Sequence, residues 1–280
     1  MKRLDLHAHS TASDGTFSPR ELVRLAQLAG LAGLALCDHD TMEGVAEFKK
    51  AGQELGFRVL GGVELSLKFS GVTHLLGLEL PGSPERPLLL SGLQDLRAQR
   101  NERLFSRLIE LGLDLQMSRI AEISGGGQIG RPHFAKAMIE KGYCHSIQEA
   151  FDMFLGKGQP AYVPKVRLSP QEGLRTLRDV GYAPVLAHPR SLKLPPKEWP
   201  EILPQWKKDG LVGLEAYHPD HSLEDIRFFV QLARRFDLAI TAGSDFHGAN
   251  KRVPITWVKR HSPVGVEVLA RLKAKLNEEL

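Results

Sequence analysis

The chain has 280 residues, of which 42% are hydrophobic and 25% are charged, so it can bury a substantial globular core. Its net charge of +4 favours phosphate-bearing ligands slightly but is too small to indicate a dedicated nucleic-acid-binding protein. Two cysteines, Cys37 and Cys144, exclude a disulfide framework and lack the paired spacing of a zinc finger. No apolar run approaches the roughly 20 residues of a membrane span, and no signal-peptide core follows Met1, so we expect a cytoplasmic protein without membrane contact.

The first 80 residues alternate between strand and helix signals. Leu4 and Leu6 alternate with polar neighbours, as in a short strand. Ser18-Pro19-Arg20-Glu21 has the pattern of a capping box, which predicts a helix that begins near Pro19. A buried strand is predicted at Leu34–Cys37, followed by a helix, a strand and its hairpin partner to about Leu80.

The same alternation returns in the last third of the chain. Ser169-Pro170-Gln171-Glu172 is a second capping box, and short apolar strands are predicted at Ala183–Ala187, Val212–Ala216 and Leu238–Ala242. This pattern predicts an α/β fold with a parallel sheet or barrel. The intervening pattern is almost entirely helical. We therefore predict a main domain of residues 1–96 and 165–280, with residues 97–164 as an inserted helical cap.

Two histidines follow the first strand. His7 and His9 are two residues apart, so both imidazoles project to one face of the sheet, as two ligands of one metal would. On its own this pair has an equally good alternative, which is a pair of surface histidines at a strand end.

Further histidines and acidic residues fall at the carboxyl ends of the other predicted strands. Parallel α/β barrels build their active sites from the loops at that end, so residues distant in sequence would meet at one mouth. The residues concerned are His39 after Leu34–Cys37, Glu64 closing Val59–Val63, His188 after Val185–Ala187, and Asp245 with His247 after Ile240–Ala242.

Asp14, in the loop after His9, and His74, on the strand paired with that of Glu64, complete the ligand set. Nitrogen and oxygen ligands without thiolate suit Mn, Zn, Fe or Mg. The set is larger than one tetrahedral ion requires. Adjacent ions bridged by a carboxylate can stabilise both the attacking and the leaving oxygen of a phosphoryl displacement. The residues therefore favour hydrolysis of a phosphate ester.

Seven motifs in chain order resemble the PHP (polymerase and histidinol phosphatase) superfamily. The resemblance covers nearly the whole chain. It implies a distorted seven-stranded (β/α) barrel with a trinuclear metal centre in which manganese is favoured. The motifs are His7-Ala8-His9-Ser10, Asp14-Gly15, Asp38-His39-Asp40, Gly62-Val63-Glu64, His74, Ala187-His188-Pro189 and Gly243-Ser244-Asp245-Phe246-His247.

The resemblance also implies how the ligands divide among the ions. His7, His9, Glu64 and Asp245 would hold one ion; Asp14, His39 and His247 a second; and Glu64, His74 and His188 a third. Glu64 would then bridge two of them. A metal-activated water held by Asp14, His39, Glu64, Asp245 and His247 would attack the phosphorus.

Within this superfamily the chain resembles the small stand-alone branch in its opening Asp5-Leu6-His7-Ala8-His9-Ser10, in Ser13-Asp14-Gly15-Thr16 and in the insert that carries Gly130-Arg131-Pro132-His133. That branch includes nucleoside 3',5'-bisphosphate phosphatases and 5'-to-3' exonucleases of short RNA, so the expected partner is a nucleotide or short oligonucleotide, with no obligate protein partner evident. Two alternatives stay open. One is a phosphatase of another small ester such as histidinol phosphate, and the other is a metal-stabilised binding module without turnover.

Five residues are predicted to contact substrate. Arg131 and His133, from Gly130-Arg131-Pro132-His133 in the insert, lie just before a predicted helix, where a guanidinium could bind a phosphate bidentately; a solvent-exposed helix start is the alternative. Lys165, Arg190 and His218 are further candidates, although each lysine or arginine could equally be an ordinary surface charge. His221 is expected to cap the following helix.

Arginines also recur at helical spacing at the start of the insert. Arg97, Arg100, Arg103 and Arg107 would share one helix face that could follow an RNA backbone. A merely solvated face of an amphipathic helix is the more common outcome.

Overall fold

A computed structural model describes residues 3–82, 91–125, 129–164 and 167–278. The chain divides into two compact units, one of Met1–Leu88 with Arg167–Leu280 and the other of Leu89–Val166. We call them the sheet unit and the helical unit. Among the described residues, no helix combines the length and the apolar character that a membrane span requires.

The described residues of the sheet unit form eight strands in two sheets. The first sheet has the order β1-β2-β3 and is parallel throughout, whereas the second has the order β4-β5-β6-β7-β8. In the second sheet β5 is antiparallel to both neighbours and the other pairs are parallel. The strands are β1 (Leu4–Ala8), β2 (Gly33–Leu36), β3 (Val59–Leu60), β4 (Gly62–Leu67), β5 (Thr73–Leu78), β6 (Ala183–Leu186), β7 (Gly213–Tyr217) and β8 (Ala239–Ala242).

Single β-bridges connect the two sheets on both sides, His39 with Glu64 and Ala8 with Phe246. At each junction a non-glycine residue has left-handed backbone, Asp40 with φ of 52° and Asp245 with φ of 51°. Such a residue cannot continue an extended strand, so the ladder is reduced to one bridge. The predicted α/β fold is therefore confirmed, but the two sheets do not form one closed seven-stranded barrel.

The predicted strand Val59–Val63 is wrong in one respect, because the chain changes sheets within it. Val59 and Leu60 pair with β2, whereas β4 begins at Gly62 and pairs with β5. A Cβ at Gly62 would lie 2.8 Å from the Gly77 carbonyl and 2.9 Å from that of Leu36, so the backbones approach too closely for a side chain. Glu64 consequently lies inside β4 and not at the end of a strand.

Both predicted capping boxes are confirmed. Ser18 precedes α1 and Ser169 precedes α7, and each hydroxyl accepts a backbone N–H bond from the glutamate three residues later. The described helices of the sheet unit are α1 (Pro19–Leu28), α2 (Val45–Glu54), α7 (Pro170–Asp179), α8 (Trp199–Lys208), α9 (Leu223–Arg235), α10 (Trp257–His261) and α11 (Glu267–Glu278). Those of the helical unit are α3 (Ser91–Glu110), α4 (Met117–Ile123), α5 (Arg131–Glu140) and α6 (Ile147–Ala150), which continues as a π-helical turn over Phe151–Leu155.

Each unit has its own apolar core. In the sheet unit, strand residues such as Leu6, Leu36 and Val185 are fully buried together with residues of the surrounding helices. In the helical unit, Leu104 and Phe134 belong to a separate buried cluster. Each unit thus buries enough apolar surface to hold its elements in place.

Candidate metal centre

Side chains from five strands, or from the loops that follow them, converge on Glu64, which is fully buried on β4. Its carboxylate lies within 3.4 Å of five imidazoles, and Asp245, His247 and Asp14 adjoin these rings. The structure thus brings together all nine predicted ligand positions, which are His7, His9, Asp14, His39, Glu64, His74, His188, Asp245 and His247.

Four of these side chains surround one point. Nε2 of His7 lies 3.1 Å from Nε2 of His9, and both nitrogens lie 3.3–3.4 Å from Oε2 of Glu64. Oδ1 of Asp245 lies 3.5 Å from Nε2 of His7 and 3.1 Å from that of His9. Ligands about 2.0 Å from a tetrahedral ion are separated by about 3.3 Å. The residues therefore fit a divalent ion.

A second group adjoins the first through His9. Oδ1 of Asp14 lies 3.2 Å from Nε2 of His247 and 3.8 Å from Nδ1 of His9, and Oδ2 of Asp14 lies 3.8 Å from Nε2 of His39. One ligand atom from each of these four residues lies within 4.8 Å of the others. Since 42% of the Asp14 side chain is exposed, this group lies at the open edge of the cluster.

The third group surrounds both oxygens of Glu64. Oε1 lies 2.8 Å from Nδ1 of His74 and 2.9 Å from Nε2 of His188, and Oε2 lies 2.9 Å from Nδ1 of His39. Each oxygen of this one carboxylate therefore faces a different set of nitrogens. A carboxylate in this arrangement can bridge two ions.

Several buried atoms of the cluster have no hydrogen-bond partner among the described residues. They include Nδ1 of His9, Nδ1 of His39 and Oε2 of Glu64, although the last two are only 2.9 Å apart. Buried polar atoms are almost always paired, because an unpaired atom costs about 1–3 kcal/mol. Coordination of a metal would give Oε2 of Glu64 a partner and would use one nitrogen of each ring, so that the other nitrogen carries the proton.

The charges of the cluster point the same way. Burial by itself lowers the pKa of His9, but hydrogen bonds and charge from Asp245 and Glu64 outweigh it and raise that pKa to about 9. The carboxylates thus favour positive charge at their centre. Burial lowers the pKa of His74 to about 4, which keeps this imidazole neutral, as a metal ligand must be.

Sequence reasoning missed Glu215, a fully buried carboxylate on β7. It accepts hydrogen bonds from Nδ1 of His7 at 3.1 Å and from the backbone N–H of His188 at 2.7 Å. Burial opposes its ionisation, but the charge of His7 lowers the pKa of Glu215 to about 2. The bond fixes the tautomer of His7 that leaves Nε2 free for a metal. The sequence does contain a signal that could have identified this residue, because Glu215 is the one charged residue inside an otherwise apolar predicted strand.

Two aspartates hold the loops that carry the ligands. Asp5, fully buried, accepts bonds from the backbone and the hydroxyl of Ser244, next to Asp245, at 2.9 and 2.6 Å. Asp38 accepts bonds from the hydroxyls of Ser10 and Ser13. Asp5 thus connects β1 with the loop after β8, and Asp38 connects the end of β2 with the loop after β1.

Lys251 is a second residue that sequence reasoning missed. Its amine contacts the carboxylate of Asp245, and 42% of its side chain is exposed. It therefore supplies a positive charge at the accessible side of the cluster.

Two predicted substrate-contacting residues lie next to the cluster, in the loops after β6 and β7. Nε2 of His218 is 3.5 Å from Asp245, and Arg190 pairs with Asp225 at 3.3 Å. The prediction that His221 caps α9 is wrong. Ser222 caps that helix, and His221 donates to the Ala216 carbonyl at 2.9 Å, because its ring turns into the sheet unit.

The insert residues make contacts within the helical unit. Arg131 donates to the Leu155 carbonyl at 3.0 Å, and its guanidinium stacks on Phe151, 5.1 Å from the ring centroid. His133 accepts the backbone N–H of Gly130 at 3.0 Å. Lys165 lies outside the described residues, and substrate contact by all three stays a prediction.

The arginine face of α3 is not uniformly exposed. Arg100 is buried and donates to the Val163 carbonyl at 3.0 Å, and Arg107 donates to the Tyr162 carbonyl. These two residues bind the backbone of their own unit, so the four arginines do not form one free face for RNA.

Comparison with known proteins identifies the family. The profile of the PHP domain matches residues 5–154, which is more than half of the chain. This chain belongs to the PHP domain family. The prediction of a metal-dependent phosphoesterase of the PHP type is thereby confirmed.

Two relatives of this PHP chain match nearly end to end. A 5'-3' exoribonuclease of Haemophilus influenzae is 31% identical over 92% of this chain and 93% of its own length. A 3',5'-nucleoside bisphosphate phosphatase of Chromobacterium violaceum is 32% identical over 88% of each chain. A Bifidobacterium adolescentis crystal structure, for which metal-dependent phosphoesterase activity has been proposed, has a TM-score of 0.82 and 27% identity, with 98% of this chain and 96% of that chain covered.

Proposed function

We propose that this PHP chain hydrolyses phosphate esters of nucleotides, with a nucleoside 3',5'-bisphosphate or a short 5'-phosphorylated RNA as substrate. The observation that carries the proposal is the set of four ligand atoms of His7, His9, Glu64 and Asp245, 3.1–3.5 Å apart. The named activities of the two relatives supply the substrate class.

The nine clustered residues would hold the divalent ions, with Glu64 between two of them, as the PHP resemblance implies. We propose that the site binds three ions and that these are manganese. When bound, such ions acidify water and neutralise charge on the phosphoryl oxygens. Glu215 orients His7, and Lys251 adds a positive charge where a phosphate would enter. Asp14, the exposed member, is the side chain that a substrate meets.

We further propose that the two sheets act as a distorted barrel and that residues 97–164 serve as a substrate-binding cap. The bridges on both sides of the sheets support the first part. Arg131 and His133 of the helical unit would then contact a second phosphate or a base.

The test is an assay of purified, manganese-loaded protein on three substrates: a nucleoside 3',5'-bisphosphate, a short 5'-phosphorylated RNA and histidinol phosphate. We expect release of phosphate or mononucleotide from the first two at rates far above that for histidinol phosphate. Faster hydrolysis of histidinol phosphate would contradict the proposal and would favour a phosphatase of that small ester.

Asp14→Asn tests whether the cluster carries the activity. The substitution removes a carboxylate that contacts His9, His39 and His247 of the cluster and otherwise the neighbouring Ser13 hydroxyl, so we expect a loss of at least 100-fold in kcat with an unchanged melting temperature of the metal-free protein. Asp179→Asn, an exposed acid of the same unit, is the matched control. Full activity of Asp14→Asn would mean that hydrolysis does not depend on Asp14, whereas a wild type that binds nucleotides without hydrolysing them would leave only a binding module.

A further inference from the structure

A cavity of about 950 Å³ lies within the sheet unit, between the loops that follow β6 and β7. Residues 188–196 form one wall, and Asp220, His221 and the first turns of α9 form the other. Its size is at the upper end of the range of ligand pockets, about 300–1,000 Å³.

One imidazole separates this cavity from the metal centre. His188 lines the cavity, while its Nε2 lies 2.9 Å from Oε1 of Glu64. On the other wall, the ring centroid of His221 is 5.4 Å from that of His218, whose Nε2 is 3.5 Å from Asp245. The cavity therefore adjoins the metal centre through His188 and through the pair of His218 and His221.

The lining does not suit a second phosphate. Its two cations, Arg190 and Lys193, are outnumbered by Asp220, Glu224 and Asp225. Arg190 already pairs with Asp225 at 3.3 Å and donates to the Asp220 carbonyl at 2.6 Å. The acids repel a phosphate but can accept hydrogen bonds from the N–H groups of a neutral ligand.

The remaining surface suits a flat ring. Pro195, Pro196, Trp199, Phe228 and Phe229 line the cavity, and Phe228 is only half-buried, so part of its ring is accessible. Aromatic faces of this kind stack on bases without preference for their identity.

His221 adds an unsatisfied polar atom to this lining. The Ala216 carbonyl can only accept, so Nδ1 of His221 carries the proton of that bond. Nε2 has no hydrogen-bond partner among the described residues, and the residue is 7% exposed. Burial lowers the pKa of His221, which keeps the ring neutral and Nε2 an acceptor. A ligand with an N–H donor would satisfy it after a small shift of the loop.

We propose that this cavity is a nucleobase subsite, which binds the base of the nucleotide whose phosphate lies at the metal centre. The base stacks on Phe228, and its N–H groups donate hydrogen bonds to the cavity's carboxylates and to Nε2 of His221. The inference rests on the proposed function, whose substrate class it deepens.

The test compares a nucleoside 3',5'-bisphosphate with its abasic analogue, in which hydrogen replaces the base. In Phe228→Ala we expect kcat/KM to fall about tenfold for the nucleotide, as loss of one base stack predicts, and to stay unchanged for the abasic ester. Leu223→Ala is the matched control, since Leu223 lies on the same helix, is 74% exposed and is outside the lining.

His221→Asn is the second variant. The Asn amide can still donate to the Ala216 carbonyl but has no counterpart of Nε2. We expect a loss of about fivefold in kcat/KM for the nucleotide alone, in proportion to one hydrogen bond.

Equal effects of both variants on the two esters, or no effect on either, would overturn the subsite and leave the proposed function intact. A wild-type enzyme that hydrolyses neither nucleotide nor RNA would overturn the proposed function instead. In that case adenosine binding, measured by NMR on wild type and Phe228→Ala, decides the subsite: binding weakened at least tenfold by the substitution supports it, and no binding to wild type refutes it.

Discussion

Glu215 shows how a single residue outside the ligand set can control the site. Its two oxygens are both used, one by Nδ1 of His7 and the other by the backbone N–H of His188. Gly243 makes this closeness possible, because a Cβ there would lie 2.2 Å from Glu215 and 2.3 Å from His7. The carboxylate can therefore orient one predicted ligand and the loop of another.

We expect Glu215→Gln to weaken manganese binding by about 10- to 100-fold, the usual cost of losing a carboxylate behind a metal-binding histidine. The glutamine keeps the shape of the side chain but replaces one acceptor with an N–H₂ group that faces a donor. Competition with a chelating dye measures the affinity. Glu54→Gln, in an exposed pair with Arg20, should leave it unchanged. Wild-type affinity in Glu215→Gln would mean that His7 needs no orienting partner.

At the scale of elements, the capping boxes determine where helices begin, and the helices fix the strands beneath them. Ser169 caps α7, and α7 packs on β4, β5 and β6. Gly77 on β5 allows this packing, since a Cβ there would lie 2.3 Å from the side chain of Leu177. The start of α7 thus supports the strand that carries His74.

Ser169→Ala should lower the free energy of unfolding by about 1 kcal/mol, because the N–H of Glu172 loses its side-chain acceptor. Denaturant titration measures this change. Ser106→Ala is the control: the Ser106 hydroxyl only bonds back to the Glu102 carbonyl within α3, so its loss should cost little. An unchanged stability of Ser169→Ala would mean that water replaces the cap fully.

For the whole molecule, the metal centre connects parts of the chain that are far apart in sequence. Its candidate ligands run from position 7 to position 247 and come from both sheets. An ion that binds only this assembled arrangement stabilises the folded state against the unfolded chain.

Manganese at 100 times its dissociation constant should therefore add about 2.7 kcal/mol per bound ion to the free energy of unfolding. Thermal unfolding with and without a chelator measures the effect as a rise in melting temperature. Asp245→Asn, which removes a carboxylate from the group of His7, His9, Glu64 and Asp245, should abolish the part of the rise that the ion in this group contributes. A melting temperature that does not change when manganese is added would contradict a metal centre built from distant strands.

The sequence alone predicted much of this molecule because the signals are local. Capping boxes at Ser18 and Ser169 located the starts of two helices, short apolar runs located most strands, and the histidine and acidic motifs named the nine residues that the structure clusters. These patterns depend on residues only a few positions apart, so they can be recognised in the sequence without knowledge of the fold.

Only the tertiary structure decided the rest. The division into two sheets, the change of sheet at Gly62 and the role of Glu215 behind His7 depend on backbone contacts and hydrogen bonds between residues up to 208 positions apart. His221 turned inward and not to the helix start for the same reason. Sequence periodicity records which face of an element is apolar, but not which distant group meets a polar side chain on that face.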